Sequence, residues 1–473
     1  MRQPVSRCAR SCGAAAIALG VAVAPSCGNA PHHSQGLDAT SVTVGPPPAT
    51  TSKPLPPVVP EGDFTDVVRF VDDDIAAHRL PGAVVQVGHG GNVVFRRAFG
   101  LRKLDGEPGL DGSPSPAEPM TQDTVFDLAS LSKPLATAPA VLQLYEQGKV
   151  ALDAPVQMYF PAFNPTGDPH RAEVTVRMLL THTSGIGGDL SHEGPWGLTQ
   201  ADKADGIRRA LTASLEFPPG HGFHYSDTGF IILGALVEKI TGETLDAYVQ
   251  AHIFGPLEMT DTRYLPPATA CGSVRTLGNT IVFDQRGAAV PCLGGSWNDD
   301  LVARIAPTAH DDDTPGINPD YGRLIRGTVH DPTARRMGGV AGNAGVFSTA
   351  PDLGRYAQAL LDRLAGRPSL FPLKQATAEL MTTPQQPASV TEGSRGFGWD
   401  IDTAYSRPRG AIFPVGSFGH VGFTGVSMWL DPGSDSYVIV LANVIHQPGG
   451  PPIVTLSGNV ATASALALHL YGS

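Results

Sequence analysis

Residues 125–133 read Val-Phe-Asp-Leu-Ala-Ser-Leu-Ser-Lys and contain the pattern Ser-x-x-Lys, formed by Ser130 and Lys133. If a helix begins at Ser130, the two side chains stand one turn apart on the same helix face. The positive N-terminal end of such a helix favours negative charge on the serine oxygen. A lysine buried there can lose its proton and act as a base, although its unperturbed pKa is about 10.4. The spacing therefore predicts an activated serine nucleophile.

The same segment also allows a structural interpretation, in which Ser130 caps a helix and Lys133 points into solvent. Lys133 is the only lysine of the chain with a serine three positions earlier. Pro134 suits the first turn of a helix, whereas Pro139 predicts a kink or an early end. No serine of the chain lies in a Gly-x-Ser-x-Gly pattern, so the sequence does not support an α/β-hydrolase nucleophile.

Segments typical of β-strands occur near both ends of the chain. Residues 83–87 and 93–99 flank a His-Gly-Gly-Asn turn, which predicts a hairpin. Residues 418–430 and 437–444 repeat this arrangement around an Asp-Pro-Gly turn. The pattern predicts an α+β fold, in which both ends of the chain build one antiparallel sheet flanked by helices, with an inserted helical domain.

The predicted domain organisation follows from these segments. Residues 61–150 and 331–473 form the sheet domain, and residues 151–330 form an inserted helical and loop-rich region. The clearest helix of the inserted region ends at Gly242, the usual residue for a helix C-terminus. Residues 264–320 have weak periodicity, which indicates an insertion.

The N-terminus is typical of an export signal, predicted over residues 1–27. Three arginines precede an apolar run that is too short to span a bilayer. Small residues around Cys27 resemble a lipoprotein site, and cleavage after Ala30 by an ordinary signal peptidase is the alternative. Residues 28–60 are rich in Pro, Ser and Thr and predict a linker. We expect a periplasmic or cell-envelope protein, either attached to the membrane through a lipidated Cys27 or freely secreted.

Composition and charge exclude several kinds of partner. The formal net charge is -11, so no broad basic surface is available to bind nucleic acid. Cys271 and Cys292 are the cysteines beyond the leader, and they form either a disulfide or two free thiols. The histidines form no His-Glu-x-x-His pattern, and the sequence predicts neither a metal nor a cofactor.

Three motifs in a fixed order connect the chain to a known family. The segment around Ser130 resembles the nucleophile segment of serine β-lactamase-related proteins, which include class C β-lactamases, D-alanyl-D-alanine carboxypeptidases and related esterases. Residues 179–185 and 338–349 also resemble that family, and the likeness extends over residues 64–470. The family's second and third motifs, Tyr-x-Asn and Lys/His-Thr-Gly, correspond to Tyr225-Ser226-Asp227 and His420-Val421-Gly422.

The resemblance implies a role for each site residue. Ser130 would attack a carbonyl carbon and form an acyl-enzyme, with Lys133 sharing or accepting its proton. Tyr225, partly deprotonated, would relay the proton to the leaving group. The backbone N–H groups of Ser130 and Phe423 would form the oxyanion hole, beside Gly422. His420 would bound the substrate site electrostatically.

Each of these residues also has a structural interpretation. Tyr225 and His420 are residue types that more often pack in a core, and Asp227 could simply be the N-cap of the helix that follows it. His182 and Ser184 are interpreted as parts of a loop scaffold rather than as a second catalytic pair.

Two departures from the family pattern bear on the substrate. Asp227 replaces an amide by a carboxyl group, and Val421 replaces a hydroxyl that binds a substrate carboxylate in the family. Both changes weaken binding of a free carboxylate, so we predict an esterase, amidase or peptidase that acts on an ester or a peptidoglycan-related amide. A β-lactamase or D-alanyl-D-alanine carboxypeptidase is the alternative, and a non-catalytic protein that binds cell-wall fragments is the non-enzyme interpretation.

Overall fold

The computed structural model describes residues 55–272, 274–277, 279–283, 297, 299–447 and 453–473. These residues belong to one compact unit. The predicted export signal, Cys27 and Cys292 lie outside the described residues. Val58, which the sequence assigned to the linker, forms a β-bridge with Val93. Among the described residues, no helix combines the length and the apolar character that crossing a membrane requires.

The helices of the described residues are α1 (Thr65–Ala76), α2 (Ala138–Glu146), α3 (Val156–Tyr159), α4 (Pro169–Glu173), α5 (Val176–Leu180), α6 (Lys203–Thr212), α7 (Asp227–Thr241), α8 (Leu245–Val249), α9 (Asp299–Arg304), α10 (Pro332–Arg336), α11 (Ala350–Leu364), α12 (Gln375–Thr382) and α13 (Ile453–Ala467). The strands are β1 (Gly82–His89), β2 (Asn92–Lys103), β3 (Glu118–Pro119), β4 (Phe126–Asp127), β5 (Arg263–Tyr264), β6 (Val274–Leu277), β7 (Thr280–Phe283), β8 (Ala309–His310), β9 (Leu324–Ile325), β10 (Val346–Ser348), β11 (Ser394–Arg395), β12 (Asp400–Asp402), β13 (Phe418–Gly422), β14 (Val426–Asp431) and β15 (Ser436–Ala442).

The main sheet joins the two ends of the chain, as the sequence predicted. Its strand order is β11-β12-β13-β14-β15-β1-β2-β3, and neighbouring strands are antiparallel. Strand β1 pairs with β15 in a register that places Ala83 opposite Ala442. The predicted hairpin between β1 and β2 is confirmed, with a turn at Gly90 and Gly91, both of which have positive φ. The predicted α+β class is therefore confirmed.

Side chains of the central strands alternate between two apolar layers. Val85 and Val440, which are directly opposite each other, pack with α1 and α13 on one face of the sheet. The neighbouring pair, Val84 and Leu441, packs on the other face, which α11 covers. Because each fully buried Val or Leu contributes about 1.5–3 kcal/mol, this alternation fixes the register of the sheet.

The helix that begins near the predicted nucleophile differs from the expectation. Residues Ala129–Leu131 form a 3₁₀ turn, Lys133–Thr137 form a π-helical turn, and α2 follows from Ala138. Helix α2 continues through Pro139 to Glu146, so this proline does not end the helix early, and the helix is instead irregular in the π-helical turn directly before it.

The clearest helix predicted in the inserted region is confirmed as α7. It ends before Gly242, which adopts a left-handed conformation with φ of 76°. The suggestion that Asp227 caps this helix is wrong. Ser226 is the N-cap, because its Oγ accepts a hydrogen bond of 3.1 Å from the N–H of Gly229. The carboxyl group of Asp227 is therefore free for another contact.

Gly342 lies where two buried segments touch, and we predict that it tolerates no side chain. A Cβ there would overlap the carbonyl oxygen of Phe230 in α7. The Gly342 carbonyl also accepts a 2.7 Å hydrogen bond from Thr137 Oγ1. Gly342→Ala should therefore lower the free energy of unfolding by about 1–3 kcal/mol, measured by urea denaturation.

The matched control is Gly229→Ala, where a Cβ would meet Leu179 at an ordinary 3.5 Å. This change should be neutral or slightly stabilising, because alanine favours helix over glycine by up to about 1 kcal/mol. Equal effects of the two substitutions would contradict the close-packing argument.

Candidate active site

Ser130 lies in a short, strained turn that the buried Asp127 holds in place. Ala129, directly before the serine, has φ of 45°, a conformation that is costly for a residue with a Cβ. Asp127 Oδ1 accepts a 2.9 Å hydrogen bond from the N–H of Ala129, and Oδ2 accepts one of 2.7 Å from the N–H of His330. Burial raises the pKa of Asp127 to about 6, against the opposing effect of these two N–H groups. The nucleophile turn therefore depends on one internal carboxyl group.

The side chain of Lys133 is fully buried and contacts three acceptors. Its Nζ lies 2.9 Å from Ser130 Oγ, 3.1 Å from the carbonyl oxygen of Asn343 and 2.5 Å from Asp227 Oδ1. The Nζ thus donates hydrogen bonds to Ser130 Oγ and to the Asn343 carbonyl oxygen, and it forms an ion pair with the Asp227 carboxylate. The structure therefore brings Ser130, Lys133 and Asp227 together.

The charge on Lys133 differs from the sequence-based expectation. Burial alone would lower the pKa of Lys133, but the Asp227 carboxylate and Tyr225 outweigh it and raise the pKa above its ordinary value. Lys133 is therefore an ammonium group at neutral pH, not the free base that the sequence suggested. In that state it has no lone pair with which to accept the proton of Ser130.

Tyr225 completes this group of side chains, with its ring centroid 5.0 Å from Lys133 Nζ and its hydroxyl close to Lys133 and Ser130. Burial raises the pKa of Tyr225, so the expected partial deprotonation does not hold for the free site. The ring stacks on His182 with centroids 4.4 Å apart. His182 is itself fixed, because its Nδ1 accepts a 3.0 Å hydrogen bond from the N–H of Ser226. The predicted scaffold role of His182 fits this position.

Further carboxyl groups surround Asp227. Asp189 hydrogen-bonds with Asp227, and burial together with the Asp227 charge raises the pKa of Asp189 to about 6. Burial and the same neighbour also raise the pKa of Asp331. Asp189, Asp227 and Asp331 together form an acidic cluster directly beside the Lys133 ammonium, in which Asp189 and Asp331 hold a proton more readily than ordinary carboxyl groups.

His420 and Gly422 are both on β13, which runs past the nucleophile turn. The Nδ1 of His420 lies 2.7 Å from the Val421 carbonyl oxygen, so Nδ1 carries the hydrogen and Nε2 has the lone pair. Burial, with Arg395 and Lys133 nearby, lowers the pKa of His420 well below its ordinary value, so the ring is neutral. A Cβ at Gly422 would overlap the carbonyl oxygen of Leu128, so only glycine allows β13 to approach this closely.

These residues line a cavity of about 530 Å³ that includes Ser130, Tyr225, Asp227 and His420. Phe423 and Tyr405 line its mouth and are 71% and 44% exposed, which leaves apolar surface for a ligand. The Phe423 ring stacks on His330 with centroids 5.9 Å apart. All seven residues that the sequence assigned to the site therefore lie in or directly beside one cavity, and the roles assigned to them stay predictions.

Sequence reasoning missed several residues of this cavity. Asn343 holds Lys133 through its backbone carbonyl, and its position in the family-like segment 338–349 was the available signal. Asp331 is the N-cap of α10 and precedes a proline, a signal for a helix start rather than for a site. Asp189 and Arg395 carry no recognisable motif. Among the described residues, no group of His, Cys, Asp and Glu is arranged to hold a metal ion.

The site has a Ser-x-x-Lys nucleophile beside an antiparallel sheet, and a tyrosine hydroxyl lies close to both side chains. These features define the class of serine penicillin-recognising hydrolases. The chain matches the family described as Beta-lactamase over residues 67–452. It therefore belongs to this family, and it is an enzyme of the serine hydrolase type.

Individual relatives show the breadth of the family. The chain is 31% identical over 403 residues to Esterase EstB of Burkholderia gladioli. The aligned part covers 81% of this chain and 91% of the esterase. It is 30% identical over 395 residues to an N-acetylmuramyl-L-alanine amidase of Bacillus subtilis (strain 168), with 81% of each chain covered. A penicillin-binding protein homologue from Caulobacter crescentus has the same fold, with a TM-score of 0.60 at 20% identity, over 88% of this chain and 100% of that chain.

The acidic cluster leads to a prediction for the pH dependence of kcat/KM for ester hydrolysis. Because Lys133 stays charged, the rising limb of the wild-type pH profile should follow loss of a proton from Asp189, whose pKa is about 6. In Asp227→Asn the carboxylate beside Lys133 is absent, so Lys133 itself must lose a proton before it can act as the base. The rising limb of the pH profile should therefore move to higher pH.

Asp153→Asn is the matched control, because its carboxyl group is 74% exposed and pairs with Arg177. Its pH profile should equal that of the wild type. The contrary result is a wild-type pH profile whose rising limb lies at alkaline pH and moves to lower pH in Asp227→Asn. It would mean that Lys133 must first become neutral, which contradicts the prediction.

Proposed function

We propose that this protein is an exported serine hydrolase that cleaves an ester or amide bond through an acyl-enzyme at Ser130. The observation that supports it most directly is the 2.9 Å contact between Lys133 Nζ and Ser130 Oγ, at the wall of an accessible cavity. A protein that only binds cell-wall fragments has no need for this contact, for the Tyr225 hydroxyl beside it or for the strained turn at Ala129.

The proposed acylation step moves one proton away from Ser130. As Ser130 Oγ bonds to the carbonyl carbon, its proton passes to Lys133, and Lys133 passes one of its own protons to Asp227 Oδ1. Lys133 thus keeps its positive charge while Asp227 becomes neutral, and Asp189 favours this by hydrogen-bonding with Asp227. The N–H groups of Ser130 and Phe423 would stabilise the oxyanion, as the family resemblance implies.

Expulsion of the leaving group completes the acylation. The neutral Tyr225 hydroxyl donates its proton to the leaving oxygen or nitrogen as the scissile bond breaks, and the proton held on Asp227 returns through Lys133 to the Tyr225 oxygen. Water then attacks the acyl-enzyme by the same route in reverse, which releases the acid and restores Ser130.

The substrate class follows from the cavity and from the relatives. Phe423 and Tyr405 offer apolar surface at the mouth, whereas the acidic cluster beside Ser130 repels a negative charge at the reacting centre. Relatives include an esterase and an amidase whose name refers to a muramyl-alanine bond. We therefore propose an ester or a peptidoglycan-related amide as the substrate.

Two observations support the proposed export of the protein, the N-terminal sequence and the state of one cysteine. Cys271 is disulfide-bonded, and structural disulfides are typical of proteins outside the cytoplasm. Cys292, the expected partner of Cys271, lies outside the described residues. Lipidation of Cys27 stays an alternative to free secretion of the protein.

Removal of the nucleophile tests the proposed activity. Ser130→Ala should abolish both the burst and the steady-state hydrolysis of p-nitrophenyl acetate, a loss of about three orders of magnitude or more in kcat. Ser113→Ala, at an exposed position, is the control and should retain wild-type rates. Full activity in Ser130→Ala would show that another residue carries the chemistry.

The Val421 departure predicts poor use of penicillins. Acylation of the wild type by benzylpenicillin, followed by intact mass, should be slow, and Val421→Thr should speed it about tenfold because it restores a hydroxyl donor. Val421→Ala, which changes the size of the side chain but adds no hydroxyl, should not increase the acylation rate. Rapid penicillin turnover by the wild type would contradict the proposed preference.

A further inference from the structure

Arg395 is a buried arginine at the wall of the cavity whose hydrogen-bonding capacity is only partly used. It belongs to β11, is 2% exposed, and donates one hydrogen bond of 2.9 Å from Nη1 to Asp400 Oδ1. Its Nε and Nη2 have no hydrogen-bond partner among the described residues. These two nitrogens form one edge of the guanidinium, the edge that can donate two parallel hydrogen bonds.

A second buried donor without a partner lies close to Arg395. Because His182 Nδ1 accepts the N–H of Ser226, its Nε2 carries the hydrogen, and within the described ranges this Nε2 has no hydrogen-bond partner. The Phe223 ring touches both groups, with the Arg395 guanidinium 5.1 Å from its centroid and the His182 ring 6.2 Å away. Buried donors without an acceptor are costly, and two such donor groups lie close together here.

Arg395 belongs to the same cavity as Ser130. Tyr405 connects the two regions, since its ring lies 6.0 Å from Phe223 and 5.7 Å from Tyr225. Strand β11 is two strands away from β13, which corresponds to about 10 Å across the sheet. The guanidinium nevertheless lies close enough to His420 to help lower its pKa, so a group bound at Arg395 lies on the His420 side of the cavity.

We propose that Arg395 binds a carboxylate of the substrate through its Nε–Nη2 edge, at a distance of several bonds from the carbonyl that Ser130 attacks. The inference rests on the proposed function and narrows it to esters or amides that carry an anionic group remote from the scissile bond. The guanidinium edge matches the two oxygens of a carboxylate, and the weak hydration of arginine suits a buried site. The acidic cluster then determines the orientation of the bound substrate, because it disfavours placing the substrate carboxylate next to Ser130.

Matched ester pairs test the proposal. Monophenyl adipate and phenyl methyl adipate differ in a carboxylate on the acyl side, and 3-acetoxybenzoate and its methyl ester differ in one on the leaving-group side. At constant ionic strength, the wild type should have a kcat/KM about 10- to 100-fold higher for the anionic member of one pair. Equal or lower values for both anionic esters would overturn the proposal.

Variants assign that preference to the guanidinium edge. Arg395→Gln combined with Asp400→Asn removes the edge without leaving a buried carboxylate unpaired, and should reduce the anionic-to-neutral ratio to about one. Arg395→Lys keeps the charge but lacks the edge, and should reduce the ratio about tenfold. Arg409→Gln is the control, since Arg409 is 20% exposed and pairs with Asp402, and it should leave the ratio unchanged.

The same assays separate this proposal from the proposed function. Ser130-dependent hydrolysis of the neutral esters, which releases phenol from one and methyl 3-hydroxybenzoate from the other, supports the hydrolase activity whatever the ratio. If that activity is present and the ratio survives in Arg395→Lys and in the double variant, the carboxylate site at Arg395 is wrong. Melting temperatures of all variants confirm that each ratio is measured on folded protein.

Discussion

The ion pair between the fully buried Lys133 and Asp227, whose side chain is 19% exposed, is the contact around which the site is arranged. A buried charge is costly to desolvate, so it persists only with close geometry and with partners for its remaining hydrogen bonds. Lys133 Nζ meets this requirement with Ser130 Oγ and the carbonyl oxygen of Asn343. The tight packing at Gly342, one residue earlier, holds that carbonyl in place. The position of the nucleophile therefore depends on contacts between distant parts of the chain.

Much of the fold could be predicted because its signals are local. The hairpin turns at Gly90 and around residues 431–433, and the stop of α7 at Gly242, depend on a few neighbouring residues each. The seven proposed site residues came from three motifs in a fixed order, and the structure places them in or beside one cavity while their roles stay predictions. Pro139 indicated an irregular helix, but the π-helical turn before it and the continuation of α2 to Glu146 could not be predicted from the local sequence.

The charge states could not be predicted from the sequence. An isolated Ser-x-x-Lys pattern suggested a neutral lysine, but the sign of its pKa shift depends on Asp227, 94 positions later, and on the partners of Asp227. Asp189 and Arg395 carry no motif, and only the folded chain shows that one shares a hydrogen bond with Asp227 and that the other has an unused edge. The site thus combines an acidic environment at the nucleophile with a cationic group further along the cavity wall.

The most direct test is the protonation state of Lys133 in the resting enzyme, measured by ¹⁵N NMR of the Nζ atoms in lysine-labelled protein. The Lys133 signal can be assigned by its absence in Lys133→Arg. The account predicts an ammonium signal that persists at neutral pH and up to at least pH 10.5, the ordinary pKa of lysine. A neutral amine signal at pH 7 would contradict it, because Lys133 would then be the base and the pair with Asp227 would not hold a charge.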